Sequence, residues 1–210
     1  MSVSRRDFLV SSGAAAAASL LPGCAAPPAS STQSIGRVVV IGGGYGGATA
    51  ARYLRMWSGG SIEVVLVERE AEFVSCPVSN LVIGGTKTLA DITRTYTGLL
   101  DRGIRMVRDE ATRIDVERKK VLLGRGDDLA YDRLIVSPAV DLMFGEIEGY
   151  DAEARMTALT AWKAGAETVA LRRQLEAMPD GGVFIIAVPR APLRCPPCPF
   201  ERACQAAFYF

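Results

Sequence analysis

The stretch Val38-Val39-Val40-Ile41-Gly42-Gly43-Gly44-Tyr45-Gly46-Gly47 joins a run of β-branched residues directly to a cluster of glycines. Gly42, Gly44 and Gly47 match the pattern G-x-G-x-x-G between a predicted strand and a predicted helix. In that setting the first glycine permits a tight turn, the second lets a pyrophosphate approach the backbone, and the third lets helix and strand pack closely. The stretch therefore predicts a dinucleotide-binding turn.

The residues that follow support this interpretation. Ala50, Leu54 and Trp57 recur at helical spacing, and a second apolar run, Ile62 to Val67, predicts a strand. Glu68 ends that strand and follows Gly47 by 21 residues. An acidic residue at about this distance accepts a hydrogen bond from a ribose hydroxyl in dinucleotide-binding folds. Strand, glycines, helix, strand and acid together favour a Rossmann-like α/β domain over a glycine-rich turn of another kind.

Residues 1–31 are predicted to be a signal peptide and linker. The segment Ser4-Arg5-Arg6-Asp7-Phe8-Leu9 resembles the twin-arginine export signal, and the apolar run after it is too short to span a bilayer as a helix. We therefore expect a periplasmic protein that is exported after folding. Leu21-Pro22-Gly23-Cys24 resembles a lipoprotein cleavage box, so a lipid anchor at Cys24 is the alternative to ordinary cleavage among Ala25 to Ser31.

Composition excludes several functions. With 24 Lys and Arg against 23 Asp and Glu, the chain lacks the basic excess that nucleic-acid binding requires. It contains no histidine, which rules out a histidine-based triad or a histidine-ligated metal within this chain. There is also no C-x-x-C-H motif for haem attachment, so any haem must belong to a partner.

The middle of the chain predicts the rest of a first domain, residues 36–150. Thr88 to Leu100 fits a helix with Leu89, Ile92, Tyr96 and Leu99 on one apolar face. Alternating runs after it predict a β-meander that ends in a return strand over Leu129 to Val136. The meander is predicted from the segments 104–107, 112–116 and 121–123. The stretch from Tyr131 to Ala139 resembles the strand that closes the flavin-binding domain of reductases with two dinucleotide domains. In those proteins a short Ala/Thr/Gly turn near the cofactor follows the strand, and Ser137-Pro138-Ala139 matches it in part.

Residues 151–210 predict the start of a second Rossmann-like domain. Thr160 could cap a helix with Leu171, Leu175 and Met178 inward, which ends before Asp180-Gly181-Gly182. Val183 to Val188 reads as a buried strand. The turn after this strand, Pro189 to Arg194, contains prolines instead of glycines. Because proline has no N–H group, this turn is not expected to bind NAD(P)H.

The cysteines leave alternatives open. From its position, Cys76 is equally compatible with a small buried hydrophobic residue and with a reactive thiol near a bound flavin. Cys195 and Cys198 could form a redox pair or, with Cys204, supply three metal ligands. A structural zinc site needs four ligands, so we favour a redox role for Cys195, whose thiolate a helix beginning near Phe200 would stabilise.

Three segments resemble one family in particular, the flavoprotein subunit of flavocytochrome c sulfide dehydrogenase. They are VVVIGGGYGGATAARYL, the Cys76-x-x-Ser79-Asn80 loop, and APLRCPPCPFERACQAA. The resemblance implies FAD bound by Gly42, Gly44, Gly47 and Glu68, and a covalent link from Cys76 to the flavin. It also implies that Cys195 is half of a redox disulfide that sulfide attacks, and that electrons pass through FAD to a c-type cytochrome subunit.

The chain departs from this family at Cys198, where glycine is expected, and at Cys204, where serine is expected. The partner of the redox cysteine lies in the family's later sequence, so we expect a truncated N-terminal fragment in which Cys195 lacks its native partner and reacts poorly with sulfide. A disulfide between Cys195 and Cys198 is the disfavoured alternative. Two other functions stay open: a relative of sulfide:quinone oxidoreductase, and an inactive FAD-binding remnant.

Overall fold

The computed structural model describes residues 34–188 and 195–210. The predicted signal peptide, Cys24 and the proline-rich turn at 189–194 lie outside this part of the chain. The strands are β1 (Gly36–Ile41), β2 (Ile62–Val67), β3 (Glu72–Val74), β4 (Thr93–Thr95), β5 (Arg105–Val107), β6 (Ala111–Asp115), β7 (Lys120–Leu123), β8 (Leu129–Ala130) and β9 (Arg133–Val136). The α-helices are α1 (Tyr45–Trp57), α2 (Asn80–Ile83), α3 (Thr97–Leu100), α4 (Ala154–Thr157), α5 (Ala166–Glu176) and α6 (Cys198–Tyr209).

A four-stranded parallel sheet in the order β5-β2-β1-β9 forms the centre of the fold. Strand β1 pairs with β2 along its whole length, with Val38 opposite Val64 and Ile41 opposite Val67. On its other side β1 pairs with β9, where Ile41 lies opposite Val136. The carboxyl ends of three neighbouring strands therefore meet at one edge of the sheet, which is where ligands bind in open α/β folds.

The central sheet is buried on both faces, as is typical of parallel sheets. Successive side chains of a strand point to opposite faces, so the β-branched run of β1 divides between two clusters. Val38 and Val40 pack with Val64, Leu66 and Ala51 of α1. On the other face Val39 packs with residues of β2 and the meander, namely Val65, Val67, Val121 and Leu129. The apolar runs predicted as strands thus form the core between helix and meander.

The predicted meander is confirmed for β6, β7 and β8, which form a three-stranded antiparallel sheet. Two details of the prediction are wrong. Segment 104–107 does not belong to the meander, because β5 joins the central sheet parallel to β2. The predicted return strand is two strands, since β8 pairs with β7 in the meander while β9 pairs with β1 in the central sheet.

The predicted helix over Thr88 to Leu100 is also wrong. The segment contains a short 3₁₀ helix (Ala90–Ile92), strand β4 and the four-residue helix α3. Strand β4 pairs antiparallel with β3, and this pairing takes up the backbone groups that a continuous helix would have bonded internally. Ile92 and Tyr96 are nevertheless buried, as the periodicity predicted.

In the C-terminal part, α5 begins at Ala166, and Thr160 does not cap it. The hydroxyl of Thr160 instead donates to the carboxylate of Glu167 at 3.0 Å. Leu171 and Leu175 are buried against Ile83 and Ala161, so the inward face of the predicted helix is confirmed.

The buried strand predicted over Val183 to Val188 is wrong. This segment is not a strand, and Val183 and Ile185 are 80% and 78% exposed. None of the nine described strands pairs with it, and an extended segment without a neighbour leaves its backbone groups to solvent. Ser34–Phe210 forms one compact unit, and a domain boundary near residue 150 stays a prediction.

Candidate functional site

The glycine turn lies between β1 and α1 and has no room for side chains at its first and third glycines. Gly42 has a φ of +96°, which side chains of L-residues rarely allow, and a Cβ there would overlap the carbonyl oxygen of Ser137. A Cβ on Gly47 would overlap the carbonyl oxygen of Gly42. These two glycines are therefore required by the packing of strand and helix, whether or not a ligand is bound.

Gly44 differs from the other two, because a Cβ at this position would meet no atom within 4 Å. Gly44 caps the N-terminus of α1, and no side chain satisfies the N–H groups of the first turn there. The first N–H groups of a helix have no acceptor within the helix, and together with its dipole they attract phosphate. The open space at Gly44 is thus where a pyrophosphate would contact the backbone, and the residues present fit a dinucleotide.

Glu68 lies at the carboxyl end of β2, next to this turn. The backbone N–H of Gly43 donates to one carboxylate oxygen of Glu68 at 2.7 Å, and the N–H of Glu70 donates to the other at 2.9 Å. Two fixed donors hold the half-buried carboxylate in place, and each oxygen retains a lone pair for a further donor. The arrangement can accept hydrogen bonds from ribose hydroxyls.

Tyr96 contacts the backbone of the glycine turn, and the sequence analysis did not identify it as a site residue. Its hydroxyl donates to the carbonyl of Gly43 at 3.2 Å, and the side chain is buried. Burial, and then the negative charges of Glu68 and Glu70, raise the pKa of Tyr96 to about 12. The only sequence signal for this residue was its apolar spacing, which predicts burial but not the contact with Gly43.

Ala139, the remaining predicted cofactor residue, lies in the segment after β9. The N–H of Ser137 donates to the carbonyl of Ile41 at 2.8 Å, and its carbonyl lies against Gly42. Ala139 itself is exposed, two residues further along. The segment is therefore adjacent to the glycine turn.

The loop that carries Cys76 is also attached to the glycine turn. The hydroxyls of Tyr45 and Ser75 share a hydrogen bond of 2.6 Å, and the rings of Tyr45 and Phe73 pack edge to face. Cys76 is exposed, which removes its interpretation as a buried hydrophobic residue. Its thiol donates to the carbonyl of Trp162 at 2.9 Å. The structure thus presents a free thiol beside the predicted cofactor turn.

Arg202 of α6 joins three parts of the chain around Cys76. It donates to the carbonyls of Thr160 at 2.5 Å and Ala161 at 2.9 Å, and to the side-chain oxygen of Asn80 at 3.2 Å. Burial lowers the pKa of Arg202, while negative charge on Cys76, Glu167 and Glu201 opposes that shift. The guanidinium group therefore holds α6 against α2 and the 160–161 segment, close to the thiol.

Cys195 is paired within the described residues, and this pairing is the alternative that the sequence analysis disfavoured. It forms a disulfide with Cys198, with 5.5 Å between the two Cα atoms. The N–H of Cys198 donates to the carbonyl of Cys195 at 3.1 Å, so Pro196 and Pro197 form a tight turn that brings the cysteines together. The separation lies within the range that a disulfide can bridge. Cys204, further along α6, is exposed and free.

Two kinds of feature are absent from residues 34–188 and 195–210. No cluster of three or more histidine, cysteine, aspartate or glutamate side chains suited to a metal ion occurs there. In the same residues, no helix has both the length and the apolar character needed to cross a membrane.

The parallel sheet, the open glycine turn and the acid beside it define a dinucleotide-binding protein of the Rossmann type. The family model of the pyridine nucleotide-disulphide oxidoreductases matches residues 36–165, and the chain belongs to that family. Membership makes the chain part of an oxidoreductase family and points to FAD or NAD(P) as its cofactor. The predicted α/β fold class is confirmed.

Two further family models match the ends of the chain. The central region of the sulfide dehydrogenase (flavocytochrome c) flavoprotein chain matches residues 168–210, which confirms the resemblance that the sequence suggested. The twin-arginine translocation signal matches residues 2–22, so the chain carries a signal for export across a membrane.

Individual relatives agree with the family. A mitochondrial sulfide:quinone oxidoreductase of Dictyostelium discoideum is 24% identical over 71% of this chain and 33% of its own length. The structure of sulfide:quinone oxidoreductase from Aquifex aeolicus matches with a TM-score of 0.53 at 23% identity, over 67% of this chain and 31% of that one. The structure of an NAD-dependent persulfide reductase from A. fulgidus matches with a TM-score of 0.53 at 26% identity, over 67% of this chain and 27% of the reductase. The chain thus spans about a third of these relatives' length.

The different surroundings of the glycines lead to a first prediction. Gly44→Val should fold but retain no dinucleotide, because its side chain enters space that is free in the protein and needed by the pyrophosphate. Gly47→Val should fail to fold, since it overlaps backbone. Cofactor content by absorbance and thermal unfolding of cofactor-free protein measure the two effects. Gly145→Val, at another position with nothing within 4 Å, is the matched control. Full cofactor retention by Gly44→Val would contradict the assignment.

The buried tyrosine leads to a second prediction, on pH. The pKa of Tyr96 is about 12 in the folded protein against 10.0 ordinarily, so its neutral form is favoured by folding. The resulting stability is fully present below pH 10 and lost as pH rises towards about 12. Tyr96→Phe should remove this loss, at most about 3 kcal/mol, from the pH dependence of urea unfolding. Equal slopes for both proteins above pH 10 would refute it.

Proposed function

We propose that this chain is the FAD-binding part of a sulfide-oxidising enzyme that passes electrons to a c-type cytochrome subunit in the periplasm. The match of residues 168–210 to the sulfide dehydrogenase flavoprotein chain is the observation that carries this proposal, because it covers the segment with Cys195, Cys198 and Arg202. The export signal and the absence of histidine from the chain are consistent with a haem held by a partner outside the cytoplasm.

FAD is the dinucleotide that this proposal places at the glycine turn. The backbone at Gly44 would bind its pyrophosphate, Glu68 its ribose, and the segment at Ala139 would lie near its ring system. When bound, FAD supplies an acceptor for two electrons that can be released one at a time, as a haem partner requires. Tyr96 and the N–H of Gly43 fix the turn and the carboxylate before the cofactor arrives.

The thiol of Cys76 is the proposed site of covalent attachment. Its exposure and its position next to Ser75, which is bonded to Tyr45 of the turn, support this role. Asn80 begins α2 directly after this loop, and Arg202 of α6 donates to its side-chain oxygen at 3.2 Å. Cys195 is the proposed residue that contacts sulfide, and residues 36–150 and 151–210 are the proposed FAD-binding domain and the beginning of a second domain.

A relative of sulfide:quinone oxidoreductase is the second candidate, favoured by the 24% identity to the Dictyostelium protein. The two candidates differ in the electron acceptor, a soluble or subunit-bound cytochrome against a quinone in the membrane. Reduction of cytochrome c and of a water-soluble quinone analogue by sulfide-reduced protein separates them. A lipid anchor at Cys24 would place either enzyme on the periplasmic side of the membrane.

The attachment of the cofactor is a third testable prediction. Acid precipitation of the exported protein should leave flavin on the peptide that contains Cys76, and Cys76→Ser should release all of it into the supernatant. Cys204→Ser, which removes another exposed free thiol, should retain the bound flavin and is the matched control. Complete loss of flavin from the unmodified protein on acid treatment would disprove covalent attachment.

The direction of electron flow is a fourth prediction. Anaerobic titration of the holoprotein should bleach the flavin absorbance with sulfide and not with NADH, because the sequence at 189–194 has prolines, which lack an N–H, and no glycine where a second dinucleotide turn would need glycines. Dithionite gives the fully reduced reference. Stoichiometric bleaching by NADH would favour a pyridine-nucleotide reductase, and purification without any cofactor would favour an inactive remnant.

A further inference from the structure

The outer face of α1 carries aromatic and apolar side chains where a surface helix usually carries polar ones. Ala51 and Leu54 pack into the core, whereas Tyr53, Met56 and Trp57 are exposed, Trp57 by 76%. The rings of Tyr53 and Trp57 lie against each other, with 4.9 Å between their centroids. Apolar side chains that adjoin one another in solvent indicate a contact surface, unlike scattered single ones. We call Tyr53, Met56 and Trp57 the α1 patch.

The charges beside the α1 patch are positive. Helix α1 contains two arginines and no acidic residue. Arg52 is exposed, and its guanidinium lies 6.0 Å from the centroid of the Tyr53 ring. Arg55 donates to the carbonyls of Gly60 and Ile62. Among the described residues, neither arginine has a carboxylate within ion-pair distance. Tryptophan and tyrosine next to arginine are typical of protein surfaces that lie at the interface between lipid and water.

The α1 patch lies at the end of the fold where the chain enters from its N-terminal side. In a βαβ unit the helix runs opposite to its strands, so the C-terminal end of α1 adjoins the first residues of β1 and β2. Gly36 pairs with Ile62 there, and the N–H of Ile35 donates to the carbonyl of Ser61 at 3.0 Å. Ile35 is itself 77% exposed. The glycine turn lies at the opposite end of the sheet, where the carboxyl ends of the strands meet.

A short stretch of chain joins this end of the fold to the export signal. The signal matches residues 2–22, and the described chain begins at Ser34. Residues 23–33 reach at most about 40 Å when fully extended. While the signal engages a membrane, Ser34 is therefore held within that distance of a bilayer, which raises the effective concentration of the nearby α1 patch at the bilayer surface. A lipid anchor at Cys24 would maintain this proximity after export.

We propose that the α1 patch, together with Ile35 and Arg52, binds the surface of a lipid bilayer that contains anionic headgroups. The aromatic rings lie at the level of the headgroups, where an amphipathic ring is favoured, and Arg52 attracts the lipid phosphates. The edge of the sheet that carries Gly44 then faces away from the bilayer. The cofactor site is therefore open to a soluble partner while the protein is on the membrane.

The fluorescence of Trp57 tests the proposal without altering the α1 patch. Trp162→Phe leaves Trp57 as the only tryptophan, since the chain contains 2. Exported protein with this change is mixed with vesicles of phosphatidylcholine, with or without phosphatidylglycerol. On the mixed vesicles we expect the emission to shift to shorter wavelength and to be quenched by lipids with brominated acyl chains, because the ring enters the bilayer surface. Emission that stays unchanged at saturating vesicle concentration would overturn the proposal.

Sedimentation with the same vesicles measures the contribution of each side chain. Tyr53→Ala combined with Trp57→Ala should lower the affinity at least about fivefold, because both interfacial rings are lost. Arg52→Gln should narrow the difference between the two kinds of vesicle. Phe208→Ala removes an exposed ring of α6 instead and should bind as the unmodified protein does, which makes it the matched control.

The remaining outcomes also decide. Melting temperatures show that the variants are folded. Undiminished binding by the folded double variant would refute the proposal, and so would a blue shift of Trp57 without vesicles that disappears on dilution, which indicates a second copy of the chain as the occupant. A lipid on Cys24, visible in the mass of the exported protein, would bind every variant alike, and the quenching of Trp57 then decides.

Discussion

The close contact between the end of β1 and the start of α1 is the constraint on which the rest of the structure depends. The carbonyl of Gly42 lies so close to Gly47 that Gly47 cannot carry a side chain, and the carbonyl of Ser137 excludes a side chain at Gly42. The β1–α1 turn and the segment after β9, which is distant in sequence, therefore meet without intervening side chains. This packing aligns the carboxyl ends of β1, β2 and β9, and it leaves the backbone of Gly44 uncovered at the resulting edge.

Local pattern was sufficient to predict the elements that this contact organises. Strand β1, helix α1, strand β2 and Glu68 follow one another within about a single βαβ unit, where periodicity and glycine spacing carry the information. Residues 88–100 and 183–188 show the limit of the method. The apolar spacing of residues 88–100 suits one long helix, and it equally suits a 3₁₀ helix, a strand and a short helix in succession. The pairing of β4 with β3 selects the second arrangement. An apolar run such as 183–188 becomes a strand only if neighbours supply hydrogen bonds, which sequence pattern does not reveal.

The residues of the candidate site also fall into two groups, those that local sequence pattern predicts and those that it does not. Glu68 could be predicted because its distance from the glycines is fixed by the length of one helix and one strand. Tyr96 and Arg202 could not, because their partners lie 53 and more than 40 residues away and are backbone carbonyls, which every residue has. The disulfide was visible as a C-x-x-C spacing. Its formation depends on the turn through Pro196 and Pro197 that places Cys198 at the first position of α6.

A continuous set of contacts connects that disulfide to the glycine turn. Arg202, one turn after Cys198, donates to the carbonyls of residues 160 and 161, and the next carbonyl, of Trp162, accepts from the Cys76 thiol. Ser75 then bonds Tyr45 of the turn. Among the described residues, Arg202 has no carboxylate within ion-pair distance, and burial lowers its pKa. A half-buried cation held mainly by neutral acceptors gains from any nearby negative charge. The contacts of Arg202 with the 160–161 segment and with Asn80 thus hold α6 against the segment whose next carbonyl accepts from Cys76.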